Sequence, residues 1–250
     1  MDAQPYPARL DGQLDPAVSQ WLSLGKWPRT GHGHWRSALA HRLLMAAVTG
    51  GTVAAAYARI GRPRQLHWGT VAKEIDAILP GDDLIPDPDL VATRAITICS
   101  APDQVWPWLA QLGQGRGGFY SYDLLENLAG LHMHSAKRVV PEWQRIGVGD
   151  VVRLAPAVGL IAAVVEPGRA MVLRGGVPLG NTEPPYDFTW AFTLAAKPDG
   201  TSRLLIRERY RYTRSWAPLL VEPVQLISFL MTRRMLRGIR HRAEQAALRS

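Results

Sequence analysis

Between Tyr120 and Trp143 the sequence packs side chains that do chemistry more densely than anywhere else. Tyr120 and Tyr122 bring phenols, Glu126 a carboxylate, His132 and His134 imidazoles, and Trp143 an indole. An imidazole beside a carboxylate can move protons, so His134 with Glu126, or with the more distant Glu208, is a candidate acid–base pair. His132 and His134 lie two apart in an extended segment and would face one way, the spacing of a shared metal ligand. No Cys or nearby acid completes such a set, so no metal and no cofactor are expected. The turn before them, with Gly113, Gly115, Gly117 and Gly118, lacks the Lys-Ser/Thr of a phosphate loop and no long helix follows it. No Gly-x-Ser-x-Gly elbow supports a Ser-His-acid triad.

The elements around this stretch have to position it. Thr93 to Cys99 alternates and is β-branched, which predicts a strand. Ser100 is placed to cap a following helix whose Val105, Trp108, Leu109 and Leu112 share one face, with Trp108 read as core. Ser121 is placed to cap a short helix that has Asp123 in its first turn and stops at Gly130. Further strands are predicted over Asp150–Leu154, Val158–Val165, Ala170–Arg174, Asp187–Ala195 and Arg203–Thr213. The last two flank Lys197-Pro198-Asp199-Gly200, a hairpin turn signal. Phe188, Trp190, Phe192 and Leu194 share a face of one. On the other, Leu204, Ile206, Glu208, Tyr210 and Tyr212 oppose Arg203, Arg207, Arg209 and Arg211. The arginine face is expected in solvent, which turns Glu208 inward, where a carboxylate must be paired or change its pKa. A long helix from Pro218 to Leu248 closes the chain, with Leu220, Val224, Ile227, Met231 and Met235 as its apolar stripe.

At 250 residues and 47% hydrophobic the chain can bury a full core. A single Cys99 excludes an internal disulfide. The net charge is +8, and from Pro223 onward six Arg stand against Glu244 alone, which favours an anionic surface as neighbour.

Residues 1–37 carry no sustained period and are expected to be a flexible N-terminal segment. Trp21, Trp27 and Trp35 alternate there with Lys26, Arg29 and Arg36, as at a membrane interface. His32 and His34 are read as a solvated pair. Residues 38–60 are a candidate transmembrane or docked helix. Their uncharged run, Leu43 to Ala58, is shorter than the roughly 20 residues of a full span, though Arg42 and Arg59 can snorkel. Residues 61–91, with Pro63, Pro80, Pro86 and Pro88 and the acids Asp82, Asp83, Asp87 and Asp89, are a connector along the surface of a domain at 92–250.

The segments ATRAITICSAPDQVWPWLAQLGQGRGGFYSYDLLENLAGLHMHSA and KRVVPEWQRIGVGDVVRL, with LHWGTVAKEIDAILPGDDLIPDPDLVATRAI before them, resemble the START-like, or SRPBCC, helix-grip superfamily that includes polyketide cyclase/dehydrase-like proteins. The resemblance spans about residues 66 to 248 and is closest to bacterial membrane-associated members of undefined activity. It implies an α+β helix-grip fold, a curved antiparallel sheet around a long C-terminal helix, with an N-terminal hydrophobic helix. It also implies an apolar cavity, which Tyr120, Tyr122, Glu126, His134, Trp143, Trp190, Glu208 and Tyr210 are candidates to reach. No catalytic motif of the superfamily transfers residue by residue.

Two functions follow as expectations. The first is binding or carriage of a hydrophobic small molecule or lipid by a membrane-tethered protein. The second is a cyclase/dehydratase-type enzyme using a cavity His and Glu. Nucleic acid is not expected as a partner, because the Arg-rich helix carries no recognition motif and suits anionic lipid equally well.

Overall fold

The computed structural model describes residues 42, 45, 49, 51, 52, 55–128, 130, 132–176 and 183–249, with 125 and 126 described by backbone alone. The chain divides into two units, Met1–Ala55 and Ala56–Ser250. In the first, the described residues are helical. The expectations for residues 1–37, and most of those for 38–60, lie outside the described residues. Among the described residues no helix is long and apolar enough to cross a membrane.

The second unit is built on one antiparallel sheet. Its strands are β1 (Leu90–Ile98), β2 (Val151–Ala155), β3 (Val158–Glu166), β4 (Ala170–Gly175), β5 (Tyr186–Ala196) and β6 (Ser202–Tyr212), in the order β1-β6-β5-β4-β3-β2. Register shifts in β2–β3 and β3–β4 bend the sheet at that end. The β5–β6 hairpin closes where its sequence predicts, with Lys197 N donating to Thr201 O at 2.8 Å and Gly200 in the left-handed region.

The helices are α1 (Arg62–Leu66), α2 (Ala72–Asp76), α3 (Pro102–Ala110), α4 (Asp123–Leu128) and α5 (Ala217–Ala247). The long α5 packs on α3 and on β1 and β6, which is the helix-grip arrangement. Trp108, Leu109, Phe192, Leu204, Ile206, Leu236 and Ile239 fill the space between sheet and helices. Each such side chain contributes roughly 1.5–3 kcal/mol by leaving water.

Two helix starts differ from expectation. Pro102 sits at the first helical position of α3, so the cap falls on Ala101 and Ser100 lies outside the helix. At α4, Ser121 donates its hydroxyl to Met231 O at 3.3 Å instead of capping.

The outer face of the sheet is a larger correction. Arg203, Arg207 and Arg209 point away from α5, as register requires, but residues 67–89 cover them. Arg203 binds Glu74, with Nε to Oε1 at 2.7 Å. Arg207 is buried and donates to Asp82, to Thr93 Oγ1 and to the carbonyls of Glu74, Ile75 and Ala77. Arg209 holds Ile85 O at 3.0 Å and Asp82 Oδ1 at 3.2 Å. The Pro- and Asp-rich connector is therefore a strap riveted across the sheet by a row of arginines. Of that row only Arg211 is exposed.

Candidate functional site

Register carries four residues of β5 and β6 to one hollow. Phe188, Trp190, Glu208 and Tyr210 alternate with outward-facing neighbours, and the pairs Phe188↔Tyr210 and Trp190↔Glu208 stand directly opposite. With Phe119, Ser121, Met133, Leu154 and Tyr186 they wall a cavity of ≈270 Å³ against α5. The helix contributes Val224, Ile227, Ser228, Met231, Thr232 and Met235. Aromatic contacts brace the sheet side, with Phe119–Trp190 at 5.7 Å and Phe188–Tyr210 at 4.6 Å between ring centroids. Val224 and Ile227 line the cavity and yet are 43% and 58% exposed, which places its opening along the N-terminal half of α5. An apolar cavity of about 150 Å³ is enough for a benzene-sized guest, so this one accepts something larger.

The carboxylate expected on the inner face is there and fully partnered. Glu208 Oε1 accepts from Arg94 Nη1 at 2.8 Å, Ser228 Oγ at 2.7 Å and Thr232 Oγ1 at 3.3 Å. Its Oε2 accepts from Gln225 Nε2 at 3.0 Å and, at 3.4 Å, from Tyr210 Oη. Arg94 completes its own set with Gln65 O at 3.1 Å and Gln225 Oε1 at 3.1 Å. Burial, then the negative charge of Glu208, push the Tyr210 phenol well above its usual pKa, so it stays a donor. Five protein donors thus converge on one carboxylate. Glu208 holds the wall together.

The expected site residues separate in space. Trp190, Glu208 and Tyr210 line the cavity. Tyr120 does not: it is buried beside α3 in a left-handed conformation, donates to Trp108 O at 3.1 Å and accepts from Gln111 Nε2 at 2.9 Å. Burial raises its pKa, and Arg242 lies 4.6 Å over its ring. Tyr122 and His134 are exposed, and Trp143 sits in a short turn whose carbonyl accepts from Arg116. Glu126 lies on α4. His134 and Glu208 are therefore not assembled as a pair. His132 and His134 both face outward around buried Met133, and no group of three potential metal ligands exists among the described residues.

The glycine-rich turn has a structural purpose. Gly113 and Gly118 bridge each other, and a Cβ on Gly118, at φ +70°, would meet His134 O at 2.7 Å. The turn lets residues 134–136 lie against it, with Ala136 N donating to Gly117 O at 3.0 Å.

Arg94, Gln225, Ser228 and Thr232 were not among the residues singled out from sequence. A signal for them exists. Arg94 shares strand parity with Ile96 and Ile98, and Gln225, Ser228 and Thr232 recur at helical spacing through an otherwise apolar run.

No protein-family profile matches the sequence, and no curated protein matches it. Solved structures similar to it include CV1439 from Chromobacterium violaceum, at 14% identity over 62% of this chain and 96% of that one, TM-score 0.38. Norcoclaurine synthase from Thalictrum flavum is 12% identical over 64% of this chain and 87% of its own, TM-score 0.38. CalU16 from Micromonospora echinospora is 14% identical over 63% and 86%, TM-score 0.30. The helix-grip assignment itself rests on this chain's own strand order and long helix.

Proposed function

We propose that the domain binds a hydrophobic small molecule or lipid in the cavity between β5, β6 and α5, as a carrier or sensor rather than a catalyst. The observation that carries this reading is an apolar hollow whose one carboxylate among the described residues accepts from five protein donors. Binding sites of this kind are concave and mostly apolar with few polar groups. The finer part of the reading is attachment to a membrane. Its support is the uncharged run Leu43 to Ala58 with tryptophans and arginines before it, and the exposed Leu226, Ile227 and Leu230 on α5.

The cavity is tested with a neutral naphthylamine probe whose fluorescence rises on entering an apolar site. It should bind the full chain, and Ile227→Trp at the exposed opening should lower affinity about tenfold or more with the melting temperature kept. No binding, or equal binding by the variant, defeats the reading. For the membrane, cells producing the full chain and a version starting at Arg64 are fractionated. The full chain should require detergent and the shorter one should not.

A further inference from the structure

One row of α5 changes chemistry along its length. Val224, Ile227 and Met231 recur at helical spacing, and the same row continues through Arg234 and Gly238 to His241. The first three line the apolar cavity. The last three line a second, polar cleft of ≈620 Å³. Ser121 belongs to the wall of both and is hydrogen-bonded to Met231 O, the point where the row turns from apolar to basic.

The cleft carries uncompensated positive charge. Arg234 and Arg237 are exposed, and neither has a carboxylate within ion-pair distance among the described residues. Each lies near an aromatic ring: Arg234 is 5.9 Å over Tyr122 and Arg237 is 5.6 Å over Trp68. Cation–π attraction holds a guanidinium near the ring and leaves its N–H groups to other acceptors. Arg242 is otherwise engaged, donating to Ala136 O and Gly238 O. Among the described residues the cleft's one carboxylate is Asp123, held by Ser135, whose N and Oγ donate at 2.7 Å and 2.6 Å. Against three arginines it leaves the cleft positive.

Taken with the cavity reading, on which it rests, the geometry points to an amphiphilic ligand: an apolar body in the cavity and an anionic head, carboxylate or phosphate, on Arg234 and Arg237. A guanidinium fork matches the paired oxygens of either head. Six residues of helix separate Met231 from Arg237, roughly 9 Å of rise, so the head must join the body directly or through a short spacer.

The test uses the full chain and the neutral naphthylamine probe, displaced by four decyl compounds that share a tail: decanol, decyltrimethylammonium, decanoate and decyl phosphate. The two anions should displace the probe at roughly tenfold lower concentration than decanol, and the cation at higher concentration. Raising salt from about 0.05 M to about 0.5 M should narrow that gap. Arg234→Gln with Arg237→Gln should bring decanoate within about twofold of decanol while the melting curve is retained. The relative strength of decanoate and decyl phosphate identifies which head is preferred. Equal displacement by all four compounds, or a gap that survives in the double variant, overturns the anionic head and leaves the cavity standing. Failure of every compound and of the probe removes both.

Discussion

Arg94 and Glu208 meet in the core, Nη1 to Oε1 at 2.8 Å, with side chains 0% and 2% exposed. They come from opposite ends of the domain sequence, and β1 pairs with β6 so that Ala92 stands opposite Glu208 and Arg94 opposite Ile206. Two charges this deep are costly to desolvate, so their value is seen mainly when one is removed. Glu208→Gln strands the Arg94 guanidinium and should cost about 3–5 kcal/mol, and Arg94→Met should cost a similar amount. Arg94→Met combined with Glu208→Gln should be far less destabilising than the two single effects added, read from urea midpoints in a double-mutant cycle. Additive losses would show that the pair is not coupled.

The strap makes a second prediction. Arg207 ties residues 74–82 to the outer face of β6 through a carboxylate and three carbonyls, and also donates to Thr93 on β1. Arg207→Ala removes the donor of those carbonyls and one of the two arginines on Asp82, which keeps Arg209, and should cost about 3 kcal/mol. The connector should also become the first site of limited proteolysis. Arg211→Ala, on the exposed member of the row, should stay within about 0.5 kcal/mol of the parent.

Much of this architecture was legible in the sequence because a period of two is unforgiving. In β6, Leu204, Ile206, Glu208 and Tyr210 had to share a face, and the β5–β6 turn announced itself through Pro198, Asp199 and Gly200. What covers the outer face was not legible, because alternation shows that arginines point together and not what they meet. Glu74 and Asp82 were the available clue, acids placed upstream in a segment rich in proline. On α5 the expected stripe of Val224, Ile227 and Met231 is partly exposed, and Val221, Gln225 and Thr232 are buried beside it. Hydrophobicity alone picks the apolar row. The cavity leaves that row half in the open, while the Glu208 network draws polar residues inward. The candidates between Tyr120 and Trp143 scattered because no regular period ties them to one face: Tyr120 is buried while Tyr122 and His134 are exposed.

Stability should fall with acid in two separate windows. Burial first, then the charges of Arg94 and Arg207, lower the His67 pKa below 6.5, against a smaller opposing effect of Asp76. The unfolded chain therefore takes up this proton at higher pH than the folded one. The contribution is complete above 6.5 and is lost as pH falls through that value towards the folded pKa. Glu74 is lowered from 4.5, chiefly by its hydrogen bonds from Arg203, so its contribution is complete above 4.5 and lost below. Urea midpoints should decline in both ranges. His67→Asn should flatten the upper decline, and Glu74→Gln the lower one. A His67→Asn profile that still falls between about pH 7 and about pH 5.5 would assign the upper window to another group.

Gly238 offers a case in which two ordinary effects oppose each other and distance decides. It lies inside α5, where glycine is about 1 kcal/mol worse than alanine, so Gly238→Ala should stabilise an isolated helix. In the folded domain a Cβ there would stand 2.4 Å from Tyr120 O and 2.8 Å from Tyr120 Cβ. Neither neighbour yields easily. Tyr120 is already in a left-handed conformation, and its hydroxyl is fixed between Trp108 O and Gln111 Nε2. The clash must therefore push α5 away from the turn at residues 119–121, which also carries Phe119 and Ser121 into the cavity wall. Gly238→Ala should lose about 1–3 kcal/mol net, as overpacked sites do. It should also weaken probe binding, although residue 238 does not line the cavity. Gly238→Ala combined with Tyr120→Ala should not recover the parent, because the backbone oxygen remains in the way. A melting temperature at or above that of the parent in the single variant would show that the turn yields, and that α5 is not held to it as closely as the 2.4 Å approach requires.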